Sequence, residues 1–146
     1  MKLHTGFTAE DASAMEAIII EFGYLVDAGR AAECPKLFAP DAQLVFAEGS
    51  PKPGTFEGSD AIRGYFDARQ AATHVITRHI ITNIRLESKP YGQVEASYFI
   101  TLYRSEDGSR KAAVAMVANM VDVFSPDPAG GWIIKHRTVA PFLSRV

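Results

Sequence analysis

The stretch TRHIITNI, residues 77–84, has the composition of a buried β-strand but carries an arginine and a histidine inside it. β-Branched residues crowd this short window, which favours an extended, pleated backbone. A guanidinium or an imidazole in such a run is costly unless another group pairs with it. Because neighbouring strand residues point to opposite faces, Arg78 and His79 need separate partners, and the partner of His79 is the first question that the sequence raises.

From this stretch onward the hydrophobic period is two, which predicts a sheet. Two shorter strands are expected before it, at AQLVFA and around residues 55–57. The four long strands are expected at roughly 74–88, 93–105, 110–124 and 131–142. Their connections carry the Gly, Pro, Asp and Ser residues typical of turns.

Before this stretch the sequence predicts three helices. The first, EDASAMEAIIIEFGYLVDAGR, follows a capping pair formed by Thr8 and Asp11 and repeats apolar residues at three- and four-residue steps. A short second helix is expected around 32–38 and a third over DAIRGYFDARQAA. Three helices followed by a curved antiparallel sheet predict an α+β fold in which the helices cover one face of the sheet.

Composition narrows the function classes. The chain has 146 residues, 47% of them hydrophobic and 22% charged, so we expect one globular domain over residues 1–146. A net charge of -2 argues against nucleic acid or an anionic membrane as a partner. Cys34 is the single cysteine, and no histidine spacing is typical of a metal site. With no signal-peptide or membrane-spanning pattern, we expect a cytoplasmic protein.

The strands are apolar on both alternations, which predicts a homo-oligomer packed through the sheet. An antiparallel sheet that is open to water usually alternates apolar with polar residues. In the third long strand, one side carries Val114, Met116 and Met120, and the other carries Val117, Val121 and Val123. We expect a homodimer or a homotrimer.

Several segments in this order resemble the SnoaL-like proteins, within the nuclear-transport-factor-2-like group. They are YLVDAGR, LFAPDAQLVF, GTFEGSDAIRGYF, TRHIITNI and DVFSPDPAGGWIIKHR. The resemblance implies a cone-shaped fold: a strongly curved antiparallel or mixed sheet with three N-terminal helices on its concave face. It implies the fold more strongly than the reaction, since this fold hosts isomerases, dehydratases, cyclases and non-catalytic subunits.

The resemblance also implies a catalytic pair, His79 and Asp27. In scytalone dehydratase and hexachlorocyclohexane dehydrochlorinase, a strand histidine pairs with an aspartate of the first helix and acts as base. An imidazole titrates near pH ~6.5, and a carboxylate on its other nitrogen fixes the tautomer and stabilises the imidazolium. The alternative is that Asp27 caps nearby backbone while His79 is a core histidine bonded to a carbonyl.

Four further polar residues are candidates for substrate binding or proton transfer. Arg137 matches a pocket arginine of the dehydrochlorinase and could bind an anionic leaving group or an enolate-like oxygen, or else form a salt bridge to Asp122 or Asp27. Tyr24 shares a helix face with Asp27 and could donate to a substrate carbonyl or simply pack. Asn119 could line the pocket or bond to a neighbouring strand. Asp122 is a second-choice acid or base, by resemblance to the SnoaL-type cyclase.

The chain departs from these relatives at positions that affect the reaction. Phe22 stands where the dehydrochlorinase has a lysine, which argues against dehydrohalogenation. Val26 and Phe46 stand near positions where scytalone dehydratase relies on tyrosines, which argues against that dehydration. The expected pocket is apolar and suits a flat or hydrocarbon-rich small molecule. Its lining would be Phe22, Phe46, Phe66, Met116 and Met120.

The leading hypothesis is a lyase or isomerase that uses no cofactor and no metal. His79, assisted by Asp27, would take a proton from carbon in an apolar, aromatic or polyketide-like molecule. The alternative is a non-catalytic ligand-binding module or a small structural subunit of a ring-hydroxylating dioxygenase-type complex.

Overall fold

The computed structural model describes residues 6–144, and its three helices lie in the first half of the chain. They are α1 (Ala9–Asp27), a 3₁₀ helix (Ala31–Leu37) and α2 (Gly58–Ala71). The Thr8 hydroxyl accepts from the Asp11 N–H at 3.0 Å, and the Asp11 carboxylate accepts from the Thr8 N–H at 2.8 Å. This reciprocal capping box begins α1 where the sequence predicts it.

Six strands form one mixed sheet. They are β1 (Phe38–Phe46), β2 (Gly54–Glu57), β3 (Ile76–Ser88), β4 (Val94–Ser105), β5 (Ala113–Pro126) and β6 (Trp132–Ser144). Their order across the sheet is β2-β1-β6-β5-β4-β3. Neighbouring strands are antiparallel except β1 and β6, which run parallel. Because β6 pairs with β1 on one side and with β5 on the other, the last strand lies in the middle of the sheet. The predicted α+β architecture, with helices first and a mixed sheet afterwards, is confirmed.

The helices cover one face of the sheet, and the core lies between the two layers. In β4 the inward residues alternate strictly: they are Val94, Ala96, Tyr98, Ile100 and Leu102, all buried. Register shifts interrupt the pairing of β3 with β4, of β4 with β5 and of β5 with β6. Such bulges bend strands and increase their twist, which gives the sheet its curvature.

Close packing of α1 on β3 places the end of α1 over the histidine strand. A Cβ atom added at Gly23 would lie 3.2 Å from Ile81 Cδ1 and 3.5 Å from His79 Cβ. Only a residue without a side chain lets the two backbones approach this closely. One helical turn later, α1 ends at Asp27, directly over β3.

The outer face of the sheet is rich in half-exposed apolar side chains. Ile80, Phe99, Tyr103 and Val114 are each between 41% and 46% exposed. They come from the three adjacent strands β3, β4 and β5. Among the described residues, no helix is long and apolar enough to cross a membrane.

Candidate functional site

Asp27 and His79 form the centre of the candidate site. Asp27 Oδ1 lies 2.6 Å from His79 Nδ1, and Asp27 Oδ2 accepts the His79 backbone N–H at 2.8 Å. Each side chain is 12% exposed, so the pair lies at the edge of the core. Within residues 6–144, no hydrogen bond to the second ring nitrogen, Nε2, is observed.

The environment of Asp27 favours its ionised form. Burial alone would raise the pKa of Asp27, but the hydrogen bonds and charge of His79 and the hydroxyl of Thr77 outweigh burial and hold that pKa below its usual value. A carboxylate in this state accepts a hydrogen bond from Nδ1–H and stabilises an imidazolium. The pair therefore has the arrangement that a histidine base requires.

Phe22 links this pair to the deeper interior. Its ring contacts the His79 ring edge-on at a centroid distance of 5.5 Å and the Phe66 ring at 6.3 Å. The Arg137 guanidinium lies over the Phe22 ring, 4.2 Å from its centroid. One aromatic side chain thus touches both the candidate base and the buried arginine.

Arg137 is part of a fully buried polar cluster with Asp122 and Tyr98. Arg137 Nε and Nη2 each donate to one Asp122 oxygen at 2.8 Å, and the Tyr98 hydroxyl donates to Asp122 Oδ2 at 2.8 Å. All three residues are no more than 1% exposed. Of the readings that the sequence left open for Arg137, the geometry is that of a bidentate ion pair with Asp122.

The cluster is electrically balanced but has one free donor. Burial alone would lower the pKa of Arg137, but the Asp122 carboxylate outweighs it and the pKa of Arg137 is raised. Arg137 Nη1 is buried and has no hydrogen-bond partner among the described residues. An N–H group in this position can donate to a carbonyl or a developing oxyanion without adding net charge to the interior.

The structure places two of the predicted site residues away from this interior. Tyr24 is 72% exposed, since the buried face of α1 runs through Phe22 and Val26 instead. Asn119 is exposed and lies on the opposite face of β5 from Met120 and Asp122, which are buried. Neither Tyr24 nor Asn119 therefore lines the core beside His79.

The predicted apolar lining residues lie at different distances from His79, and the Tyr65 ring joins the Phe46 end to Phe66 at a centroid distance of 5.0 Å. Met116 is aligned with Leu102 and His79 across β5, β4 and β3, so it shares the inner face with the histidine. Phe46 instead belongs to an aromatic group with Phe56 and Tyr65, at centroid distances of 6.0 Å and 5.0 Å. Phe66 contacts Phe22, as described above, and Met120 is buried in the core.

A surface pocket of about 180 Å³ lies elsewhere, between the 3₁₀ helix, β1 and α2. Its lining includes Lys36, Phe38, Ser59 and Arg63 but neither His79 nor Asp27. Among residues 6–144, no group of three or more His, Cys, Asp or Glu side chains is arranged to hold a metal ion.

Sequence reasoning missed Thr77, Arg69 and Tyr98, which complete the two polar clusters. Thr77 donates to Asp27, and Arg69 donates to Thr77. Thr77 could have been found, since it lies two residues before His79 and must share its strand face. The sequence gives no local signal for Arg69, which reaches Thr77 across the turn from α2 to β3, or for Tyr98, whose partner Asp122 lies on the next strand.

The chain is similar to known proteins over nearly its whole length. The SnoaL-like domain family matches residues 8–138. No curated protein matches by sequence.

Similar solved structures include three from Novosphingobium aromaticivorans. One is an NTF2-like protein with a cystatin-like fold (21% identity, TM-score 0.74, covering 91% of this chain and 82% of that one). Another is a candidate scytalone dehydratase (17%, TM-score 0.77, covering 92% and 86%). The third is the beta subunit of a candidate aromatic-ring-hydroxylating dioxygenase (19%, TM-score 0.76, covering 92% and 90%). At these identities, the likeness shows the fold.

Proposed function

Since the chain belongs to the SnoaL-like family, we propose that it is a small cofactor-independent enzyme of the lyase or isomerase kind. His79 acts as the base, and Asp27 holds its ring and balances the charge that forms on it. The observation that carries this proposal is the 2.6 Å contact between Asp27 Oδ1 and His79 Nδ1 at the edge of an apolar core.

The reaction would begin with transfer of a proton from a substrate carbon to His79 Nε2. The carbon lies next to a carbonyl, so the electron pair of the broken C–H bond moves onto oxygen as an enolate. Arg137 Nη1 would donate to that oxygen. Because Phe22 touches both His79 and Arg137, a substrate that reaches both groups must displace or stack on the Phe22 ring.

The substrate class follows from the lining. Phe22, Phe66 and Met116 surround the inner face beside the histidine with carbon, which favours a flat, aromatic or polyketide-like molecule. Since Asp122 neutralises Arg137, the site favours a neutral carbonyl compound over an anion. Tyr24 and Asn119 take no part in this proposal because both are exposed.

Proton abstraction can be tested before the product is known. The protein is incubated in D₂O with a panel of aromatic and polyketide-like ketones, and loss of the C–H signals is followed by proton NMR. We expect exchange with the parent and with His74→Gln, a matched change at an exposed histidine. The His79→Gln variant should exchange about 10²–10⁴ times more slowly. Exchange that persists in His79→Gln would refute the role of this residue.

The second candidate is a non-catalytic module that binds a ligand or supports a dioxygenase-type complex. It is favoured by Phe22, which packs on both His79 and Arg137, and by the 180 Å³ pocket, whose lining includes neither residue. The structural likeness to a dioxygenase beta subunit adds to it. Binding of a panel ketone with no exchange, or co-purification with a larger iron-containing protein, would favour this reading.

The outer face of the sheet supports a homo-oligomer. Half-exposed Ile80, Phe99, Tyr103 and Val114 form an apolar surface that a second copy would cover, as a dimer or a trimer. We expect light scattering at micromolar concentration to give a multiple of the 15.9 kDa chain mass. A monomeric mass would contradict this assembly.

A further inference from the structure

We propose that Thr77 is a positioning residue for the Asp27–His79 pair and that Arg69 sets the direction in which the Thr77 hydroxyl points. This deepens the proposed function, on which its catalytic meaning rests.

Thr77 holds the same carboxylate oxygen as the histidine ring does. Its hydroxyl donates to Asp27 Oδ1 at 2.8 Å, and His79 Nδ1 lies 2.6 Å from that oxygen. Thr77 is 3% exposed and lies two residues before His79, so both side chains approach Asp27 from one face of β3. Together with the His79 N–H on Oδ2, the carboxylate has three donors on two oxygens and cannot rotate freely.

Arg69 determines where the Thr77 proton goes. Arg69 Nη2 donates to Thr77 Oγ1 at 3.1 Å and to the Val75 carbonyl at 3.4 Å. A guanidinium has no acceptor atom, and a hydroxyl carries one proton. With Arg69 donating to its oxygen, Thr77 has Asp27 left as the acceptor for its own proton. The chain Arg69 to Thr77 to Asp27 therefore runs in one direction.

The consequence is a fixed tautomer on His79. An ionised Asp27 held in this orientation accepts a hydrogen bond from Nδ1–H, so the proton of the neutral ring stays on Nδ1 and Nε2 is unprotonated. That unprotonated nitrogen is the one that a base needs. A free imidazole prefers the opposite tautomer, with the proton on Nε2. Loss of the hydrogen bonds from Arg69 to Thr77 and from Thr77 to Asp27 should therefore shift the tautomer ratio towards Nε2–H.

Other charged groups near the pair define the control. Arg104 is aligned with Thr77 across β3 and β4, and Tyr65 lies near Arg69. Deeper in the core, Arg137 and His79 both contact the Phe22 ring. Arg78 Nη1 donates to the backbone carbonyls of Thr77 at 3.0 Å and of Asp27 at 3.5 Å, and it has no hydrogen bond to the Thr77 hydroxyl. Replacing Arg78 removes a positive charge near Asp27 and a bond to the Thr77 backbone, but it removes neither side-chain hydrogen bond of Thr77.

The experiment reads the tautomer of His79 directly and needs no substrate. The ¹⁵N shifts of labelled histidine are recorded at alkaline pH for the parent and for Thr77→Val, Thr77→Ser, Arg69→Met and Arg78→Met. The His79 signals are assigned with His79→Gln. We expect Thr77→Val to shift the tautomer ratio about tenfold towards Nε2–H, the size of one lost hydrogen bond. Arg69→Met should shift it less in the same direction, while Thr77→Ser and Arg78→Met should match the parent.

Two results would overturn the proposal. One is a Thr77→Val spectrum with the parent tautomer ratio. The other is an equal shift in Arg78→Met and Arg69→Met, which would show that charge alone acts. If Thr77→Val fails to fold, the comparison of the two arginine variants decides the question. A protein that gives the expected tautomer shifts but catalyses no exchange of substrate hydrogen for deuterium would support the positioning role of Thr77 and Arg69. It would contradict the proposed function.

Discussion

Replacing Arg137 by methionine should destabilise the protein far more than replacing any surface arginine. Asp122 receives three hydrogen bonds at 2.8 Å, two from Arg137 and one from Tyr98. The Arg137→Met variant leaves a fully buried carboxylate with the tyrosine bond alone. Two charge-assisted hydrogen bonds are lost, at about 1.5–3 kcal/mol each, and removal of one partner of a buried ion pair costs about 3–5 kcal/mol in all.

We therefore expect the free energy of unfolding to fall by about 3–5 kcal/mol. For a chain of this length the melting temperature should fall by roughly 10–16 °C. Urea unfolding at pH 7, followed by circular dichroism, measures the first quantity, and a thermal scan measures the second. The control is Arg63→Met, whose ion pair with Asp60 is exposed and should contribute no more than about 1 kcal/mol.

A double variant tests the cause. In Arg137→Met combined with Asp122→Leu, no unpaired buried charge remains, so the double variant should be more stable than Arg137→Met alone. A loss below about 1 kcal/mol in Arg137→Met would refute the reasoning. So would a double variant whose destabilisation equals the sum of the two single changes.

Two further predictions concern single ionisable groups. Because the pKa of Asp27 is lowered in the fold from 3.8, its contribution to stability is present above pH ~3.8 and is lost as pH falls through the folded value. The stability gap between parent and Asp27→Asn in urea titrations should thus narrow in acid, and a gap that is constant from pH 6 to pH 2.5 would contradict it. Burial raises the pKa of the Cys34 thiol to about 12, so roughly one thiol in 10⁴ is ionised at pH 8. A disulfide reagent should label Cys34 in guanidinium but not in the native protein, and rapid native labelling would disprove this.

Most of the fold could be predicted from local patterns. A period of 3.6 over Ala9–Asp27, and a period of two on either side of the bulge in Ile76–Ser88, each follow from which residues face the core. The parallel pairing of β1 with β6 could not be predicted in this way, since nothing local in Phe38–Phe46 encodes a partner almost a hundred residues away. Which strand pairs with β1 is determined by the packing of the whole sheet.

The site was less accessible to sequence reasoning than the fold. Residues 27 and 79 are 52 positions apart, and the pairing was expected from a family resemblance rather than from a physical pattern. Tyr24 shows the limit of helix spacing. Tyr24 lies three residues before Asp27, which predicts that they share one side of α1. Asp27 lies at the edge of the buried face of α1, and Tyr24, one turn earlier, lies outside that face and is exposed. In β5, Asn119 and Asp122 are three residues apart, and they lie on opposite faces as period-two alternation requires.

The central position of β6 has a consequence for how the chain reaches its native state. Both neighbours of β6, the early strand β1 and the late strand β5, remain unpaired along one edge until β6 arrives. The Arg137 side chain, which closes the core polar cluster, is carried by that same strand. We therefore expect the helices and the first strands to remain only loosely ordered during synthesis on the ribosome. Cooperative folding should begin only after residues 132–144 emerge, and the many contacts between distant residues should make it slow.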